Sequence, residues 1–93
     1  MKLFDWNEEK NQELKNEREV SFEDVVIAIQ EKKLPADIEH PNKKKYPNQR
    51  MFVVSINNYA YLIPYVEDEE KVFFKTIIPS RIATKKYLIG GEK

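Results

Sequence analysis

The chain has 93 residues, of which 34% are charged, and its 16 basic side chains balance its 16 acidic ones. This length suffices for one small domain with a single core. The absence of cysteine excludes a disulfide framework and thiolate chemistry, and with one histidine a structural zinc site is not expected. No apolar run approaches the roughly 20 residues of a membrane-spanning helix, and no secretory signal follows Met1. We therefore expect a single cytoplasmic domain over residues 1–89, without a cofactor or a membrane partner, and a disordered tail over residues 90–93.

The charges are segregated along the chain. Residues 1–39 carry 11 acidic and 6 basic side chains, a net charge of −5, whereas residues 40–66 carry four basic side chains and no acidic one. An acidic N-terminal part thus precedes a locally basic part. Because of this segregation, the zero total charge does not exclude an anionic partner such as nucleic acid.

A polar helix is predicted near the N-terminus. Asn7 can cap a helix that begins at Glu8 and runs to about Glu17, with acidic residues favourably placed in its first turn. Only Trp6 and Leu14 offer apolar contact along this stretch. Such a helix is marginal alone and is expected to depend on packing.

A second helix has a clear start and a clear stop. Ser21 and Asp24 form the spacing of a capping box. Apolar residues then recur at the spacing of one helix face, which favours packing on a sheet. Pro35 predicts that this helix ends near Lys33.

A β-hairpin forms the predicted centre of the fold. Residues 50–56 and 59–65 alternate and are rich in β-branched and aromatic side chains. Asn57 and Asn58 stand between them, and asparagine tolerates the left-handed backbone of a two-residue turn. The register that follows from this turn pairs Ile56 with Tyr59, Val54 with Tyr61 and Phe52 with Ile63. Both hairpin faces are largely apolar, so an uncovered second face would be a docking surface.

Shorter elements flank the hairpin. Residues 36–40 predict a short edge strand, residues 41–49 a loop, and residues 71–78 a third strand that ends at Pro79. Ser80 can cap a short helix from Arg81 to about Leu88. The element order predicts an α+β fold, with two N-terminal helices on an antiparallel sheet of three to four strands and a short C-terminal helix beside the sheet end.

Cations interleaved with aromatics are the main chemical signal. Cations hold phosphates and aromatic faces stack bases, which is how single-stranded RNA is bound. A lysine-rich loop is more often a solvated surface, Trp6 is more often a core anchor, and strand tyrosines usually pack across strands. Arg50 starts one strand and Arg81 follows another, so a fold could bring both to one sheet end. The candidate RNA-binding residues are Lys85, Lys86, Lys43, Lys44, Lys45, Tyr61 and Trp6.

Two segments carry a family resemblance. Residues 4–11, followed by Val20-Ser21-Phe22-Glu23-Asp24, resemble the opening of the BrnT family of type II toxins. Residues 78–86 resemble the closing Ser/Ala-Arg-Arg-Ala-Thr segment of that family. The chain departs from the family pattern at two places: Glu17-Arg18-Glu19 stands where members usually have Lys-His-Gly, and Ile82 replaces the second arginine.

The resemblance implies a RelE-like α+β fold and metal-independent cleavage of RNA that inhibits translation. It also implies a small ribbon-helix-helix antitoxin as partner, with operator DNA bound only through that antitoxin. Trp6, Lys10 and Arg81 match family positions. In this reading Arg81 and Arg50 stabilise the charge of the reacting phosphate, Lys10 or Lys85 holds a phosphate, and Tyr61 orients or stacks the substrate.

Two other readings stay open. One is a non-catalytic relative of such toxins that binds a partner protein or acts as a transcriptional corepressor, with the apolar second hairpin face as its docking surface. The other is a mobile-element domain of some other role. Cleavage of labelled RNA in the presence of a chelator would separate the first reading from these.

Overall fold

A computed structural model of the protein describes residues 3–33, 36–39, 44–45 and 49–89. Within these residues, helices α1, α2 and α3 accompany strands β1 to β6, which form one sheet. The helices are α1 (Glu8–Arg18), α2 (Phe22–Gln30) and α3 (Arg81–Thr84), the last continuing into a π-helical segment (Lys85–Ile89). The strands are β1 (Leu3–Trp6), β2 (Ala36–Glu39), β3 (Arg50–Ile56), β4 (Tyr59–Glu67), β5 (Lys71–Phe74) and β6 (Ile78–Pro79). The α+β class is thus confirmed.

The sheet has the order β1-β5-β4-β3-β2, and β6 pairs with β4 beyond the end of β5. All pairs are antiparallel except β1 with β5, which is parallel. The sheet is therefore mixed and larger than predicted. Strand β1 was not expected, because Leu3 and Trp6 are separated from their partners Lys71 and Phe74 by most of the chain. The predicted edge strand β2 is confirmed.

The central hairpin has the predicted register. Ile56 pairs with Tyr59 and Phe52 pairs with Ile63. Asn57 and Asn58 have φ values of 54° and 66°, the left-handed conformation that a two-residue turn requires. The turn residues thus set which side chains of β3 and β4 share a face.

The predicted third strand is interrupted, which corrects the expectation of one strand over residues 71–78. Lys75 donates its N–H to the Pro64 carbonyl at 2.8 Å. Pro64 has no N–H to return to Lys75, so the ladder stops after Phe74. Strict alternation from Phe74 would put Ile77 on the opposite face, yet Ile77 is fully buried in the same cluster as Phe74. The irregular residues 75–77 make this change of face possible.

Both predicted N-caps of the first two helices are confirmed. Asn7 Oδ1 accepts from the Lys10 N–H, and the capping box of Ser21 and Asp24 is complete. Helix α2 ends at Gln30, three residues before the predicted end near Lys33. Lys32 has φ 64°, and the Lys33 N–H donates to Ala28 at 2.8 Å. These bonds close a Schellman-type end well before the proline.

One face of the sheet, the helix-covered face, packs against α1 and α2. Its core contains stacked rings, with Phe22 and Phe74 centroids 5.8 Å apart and Phe4 and Phe74 centroids 5.3 Å apart. Tyr65 stacks on Phe52 at 4.0 Å. This face holds most of the apolar core.

The other face of the sheet, the second face, carries α3 and the π-helical segment. Ala83 is buried there with Val53 and Ala60, and Leu62 and Tyr87 pack around them. The last helix therefore lies across the second face, whereas it was expected beside the sheet end. The reason is that alternation places these residues of β3 and β4 on a single apolar face, which a helix can cover. No helix among the described residues is long and apolar enough to cross a membrane. The predicted tail, residues 90–93, lies outside the described residues.

Candidate nucleic-acid interface

The turn after β6 is fixed to β4 by hydrogen bonds. The Ser80 N–H donates to the Ala60 carbonyl at 3.0 Å, and Ser80 Oγ accepts from the Ala83 N–H at 3.0 Å, which confirms Ser80 as the N-cap of α3. Thr84 Oγ1 donates to the Ser80 carbonyl at 2.8 Å and accepts from the Ala60 N–H at 2.9 Å. Because Thr84 is buried, no water replaces these bonds easily. These hydrogen bonds thus fix the start of α3 relative to the sheet.

Three exposed cations follow on this turn: Arg81, Lys85 and Lys86, together called the cationic turn. Arg81 forms no ion pair with any residue that the structure describes. Lys85 follows Arg81 by four positions, so the two occupy neighbouring places on the surface. Lys86 Nζ lies 5.4 Å from the ring centre of Tyr87. The cationic turn therefore presents positive charge to solvent from a fixed backbone.

Arg81 occupies a position at which a cation does not stabilise the helix. It is the first residue of α3, and no acidic residue occupies that turn. The positive end of the helix dipole disfavours a cation at this position. An exposed guanidinium there has no structural partner among the described residues, which favours a role in binding an anion.

Tyr61 of β4 lies beside β6, on the face of the sheet opposite to the cationic turn. Its Cα pairs with Pro79 of β6, and its ring meets Tyr59 edge-on at 5.6 Å. Burial, followed by the charges of Tyr59 and Asp24, raises the pKa of Tyr61 above its ordinary value. Tyr61 is thus a neutral hydroxyl at physiological pH. It packs on the helix-covered face, so a ligand that met both Tyr61 and Arg81 would wrap around β6.

Arg18 is a second guanidinium near β6, at a position that departs from the family pattern. Its Nη1 donates to the Ile77 carbonyl at 2.9 Å, four residues before Arg81. A basic residue in the last turn of a helix was the available signal. What could not be foreseen was that the end of α1 meets the irregular segment before β6. Arg18 thereby ties α1 to the segment that leads into the cationic turn.

Arg50 and Arg81 do not meet at one sheet end, which corrects the central expectation for the site. Arg50 pairs with Tyr65, whereas the turn of Arg81 is bonded to Ala60, whose partner is Ser55. Ser55 lies five positions after Arg50 along β3, about 16 Å at the usual rise. The antiparallel register is the reason: the start of β3 and the start of β4 lie at opposite ends of a hairpin.

Arg50 is also engaged in an internal cluster. Its Nε lies 3.2 Å from Asp37 Oδ1, and Nη2 donates to the Asp37 carbonyl at 3.1 Å. The Tyr65 hydroxyl donates to the same carboxylate at 2.9 Å. Burial first, and then its hydrogen bond to Asp37, raise the pKa of Tyr65 to about 12. This cluster holds the edge strand β2 to β3 and β4.

Two further candidates lie away from the cationic turn. Trp6 stacks on Phe22 at 5.7 Å and on Phe74 at 6.2 Å, so its ring is part of the core. Lys10 is half-buried in the first turn of α1. It lies about 12 Å along the helix axis from Arg18. The structure thus gives Trp6 the role of a core anchor and leaves Lys10 without a link to Arg81.

The lysine-rich loop is described only in part. Lys44 and Lys45 are exposed in a turn. Lys43 lies outside the described residues. These lysines are therefore not included in the candidate site.

A small depression beside α2 has a different character. It measures about 140 Å³ and is lined by Asp24, Glu31 and Lys33 together with the end of β3. Two carboxylates and one ammonium group make it a poor phosphate site. No group of three or more metal-ligating side chains occurs in the described part of the chain.

Comparisons of the chain with protein-family models, curated proteins and solved structures find no match. We therefore infer a function from the fold and from the cationic turn.

Proposed function

We propose that this protein is the toxin of a type II toxin–antitoxin pair and that it cleaves RNA at the cationic turn. One observation carries the proposal: Arg81 is exposed and without an ion pair among the described residues, on a turn fixed by the hydrogen bonds of Ser80 and Thr84. The resemblance of residues 78–86 to the closing segment of the BrnT family supports it. A small ribbon-helix-helix antitoxin is the proposed partner, and binding of operator DNA is assigned to that antitoxin.

The proposed reaction requires few chemical groups from the protein. The ribose 2′-hydroxyl releases its proton to water as its oxygen bonds to the adjacent phosphorus. The P–O5′ bond breaks, a 2′,3′-cyclic phosphate forms, and the 5′-oxygen leaves with a proton from water. Negative charge on the phosphoryl oxygens increases in the transition state, and a fixed cation stabilises that charge. Arg81 takes this role, and Lys85 and Lys86 hold neighbouring phosphates.

The change in the site assignment is specific. Arg50 is removed from the catalytic set, because it lies at the other end of the hairpin and is bound to Asp37. Tyr61 stays as a hydroxyl that donates to a phosphate or stacks on a base across β6. Arg18 joins the site as the residue that positions the segment before Arg81.

The test uses induced expression and purified protein with labelled single-stranded RNA in the presence of a chelator. We expect Arg81→Ala to lower cleavage by about 10²–10³-fold and to relieve growth arrest, with an unchanged circular dichroism spectrum. Lys75→Ala is the matched control, since Lys75 is exposed but lies outside the cationic turn. A folded Arg81→Ala protein with full cleavage would refute the assignment. The absence of cleavage by the unaltered protein would favour the non-catalytic partner-binding reading.

A further inference from the structure

The second face of the sheet keeps an open apolar groove beside α3. Its volume is about 190 Å³, and side chains from β2, β3 and β4 form its floor. An apolar cavity of about 150 Å³ accommodates benzene, so this groove has room for one large apolar side chain of a ligand. The residues that form it include Ile38, Met51, Val53, Leu62, Ile82 and Tyr87.

One wall of the groove is an apolar side chain held in solvent. Ile82 is 80% exposed, more than Leu3 at 72% or Ile27 at 49%. Its backbone is fixed, because the neighbouring Ser80 and Ala83 take part in the hydrogen bonds that hold α3 to β4. The groove is therefore a preformed apolar surface, which is the usual character of a binding site.

Among the residues that the structure describes, the charges around the groove have one sign. Lys86 lines it, and Arg81 and Lys85 lie on the same turn. Asp37 and Glu39 flank Ile38 on β2, and strand alternation directs them to the other face. The bond from Tyr65 to Asp37 agrees with this direction, because Tyr65 belongs to the helix-covered face.

Within the described part of the chain, the remaining carboxylate on the second face is balanced. Asp5 of β1 is next to Lys71, with 3.3 Å between its Oδ2 and the lysine Nζ. A ligand for the groove should thus combine apolar side chains with negative charge.

We propose that the groove binds an acidic amphipathic helix of a partner protein. One large apolar side chain of that helix fills the space between Leu62 and Ile82, and carboxylates of the helix pair with Lys86 and Arg81. This is the helix-in-groove mode of recognition. The effect of such binding on RNA cleavage, but not the binding itself, rests on the proposed function: the helix would cover the cationic turn and exclude RNA from it.

The same charges argue against two other occupants. A second copy bound through this face in a two-fold symmetric dimer would bring its own Arg81, Lys85 and Lys86 against the first set, and like charges repel. RNA would satisfy the cations but has no aliphatic side chain to fill the apolar floor. An acidic amphipathic helix offers carboxylates to the cations and aliphatic side chains to the apolar floor.

The probes are two synthetic peptides of about 18 residues, long enough to form helix. Both carry leucine at positions i, i+3, i+4 and i+7 of each helical repeat. One carries glutamate at the exposed positions and the other lysine. Dissociation constants are measured by fluorescence anisotropy with the full chain, and we expect the glutamate peptide to bind at least about tenfold more tightly than the lysine peptide.

Two variants locate the binding. Ile82→Asp and Lys86→Glu should each weaken the glutamate peptide about tenfold or more. The matched controls Leu3→Asp and Lys15→Glu change an exposed apolar residue and an exposed lysine elsewhere, and we expect them to retain binding. Circular dichroism confirms that each variant is folded.

Equal binding of the two peptides, or unaltered binding by Ile82→Asp, would overturn the proposal. So would concentration-dependent self-association that Ile82→Asp abolishes, since a second copy would then be the occupant. Displacement of the peptide by oligouridylate is expected if the cationic turn also binds RNA. If the peptide binds as described and the unaltered protein cleaves no RNA, the proposed function fails and this interaction surface stands.

Discussion

The two faces of the sheet are covered to different extents. Helices α1 and α2 seal the helix-covered face, where Phe22, Phe74 and Ile63 are fully buried. On the second face α3 is one turn long and leaves a groove of about 190 Å³, with Ile82 in solvent. The first face thus excludes water, whereas the second face leaves apolar side chains in contact with solvent.

This difference separates the residues that determine stability from those that are available for binding. The ring stack of the helix-covered face contributes the larger share of buried apolar area, which is the dominant favourable term in folding. On the second face only the short α3 and the π-helical segment cover the described sheet, and the cations of the cationic turn lie at the rim of the groove. Substitutions on the first face should therefore act on folding, and substitutions on the second should act on binding.

The largest expected effect is on the helix-covered face. We expect Phe74→Ala to lower the free energy of unfolding by about 3–5 kcal/mol, because the ring is fully buried among other rings and the site cannot collapse. Leu62→Ala, beside the groove, should cost about 1 kcal/mol, because its side chain is only half-buried. Urea denaturation measures both, and equal losses would contradict the comparison.

The next effect concerns the attachment of α3. Thr84→Val keeps the side-chain shape but leaves the buried Ala60 N–H without its acceptor. We expect a loss of about 1–3 kcal/mol, together with weaker RNA cleavage, because Arg81 is no longer held in place. Thr76→Val is the matched control, a half-buried threonine in the irregular segment before β6, and it should change stability by less than about 0.5 kcal/mol. A stable Thr84→Val protein would show that the turn is held by other contacts.

The smallest effect is a pH dependence at the margin of the helix-covered face. The pKa of Tyr65 is raised from its ordinary value of 10 to about 12 in the folded protein. Its contribution is complete below pH 10 and is lost as the pH rises from 10 to 12, because the unfolded chain releases the proton first. After a discount for solvent at the half-exposed Asp37, the loss is about 1–2 kcal/mol.

The measurement compares urea midpoints at pH 9 and at about pH 11 for the unaltered protein and for Tyr65→Phe. The difference between the two proteins removes the contribution of lysines, which titrate in the same range. An equal decline in both would show that Tyr65 does not carry the effect.

The elements that local chemistry determines were predictable. The turn at Asn57 and Asn58 and the capping box at Ser21 depend on neighbours in the chain, and both are confirmed. Strand β1 was missed because its partner lies in distant sequence. The break after Phe74 was signalled by Pro64, whose missing N–H removes a ladder bond, but the alternating pattern of residues 71–78 concealed it.

Besides Tyr61, which the hairpin register places, the candidate site was predictable at Arg81, Lys85 and Lys86. Their place follows from the Ser80 cap, a local signal. The separation of Arg50 from Arg81 and the approach of Arg18 depend on how whole elements pack, which residue patterns do not reveal.

The parallel pairing of β1 with β5 has a consequence for biosynthesis. Leu3 meets Lys71, so the two strands are 68 positions apart in the chain. A nascent chain leaving the ribosome holds β1 and both N-terminal helices without the strand that they cover, and Phe22 stays exposed until Phe74 has been made. The native packing of this sheet therefore waits for Phe74, and we expect a polypeptide that stops before Phe74 to be a substrate for proteolysis.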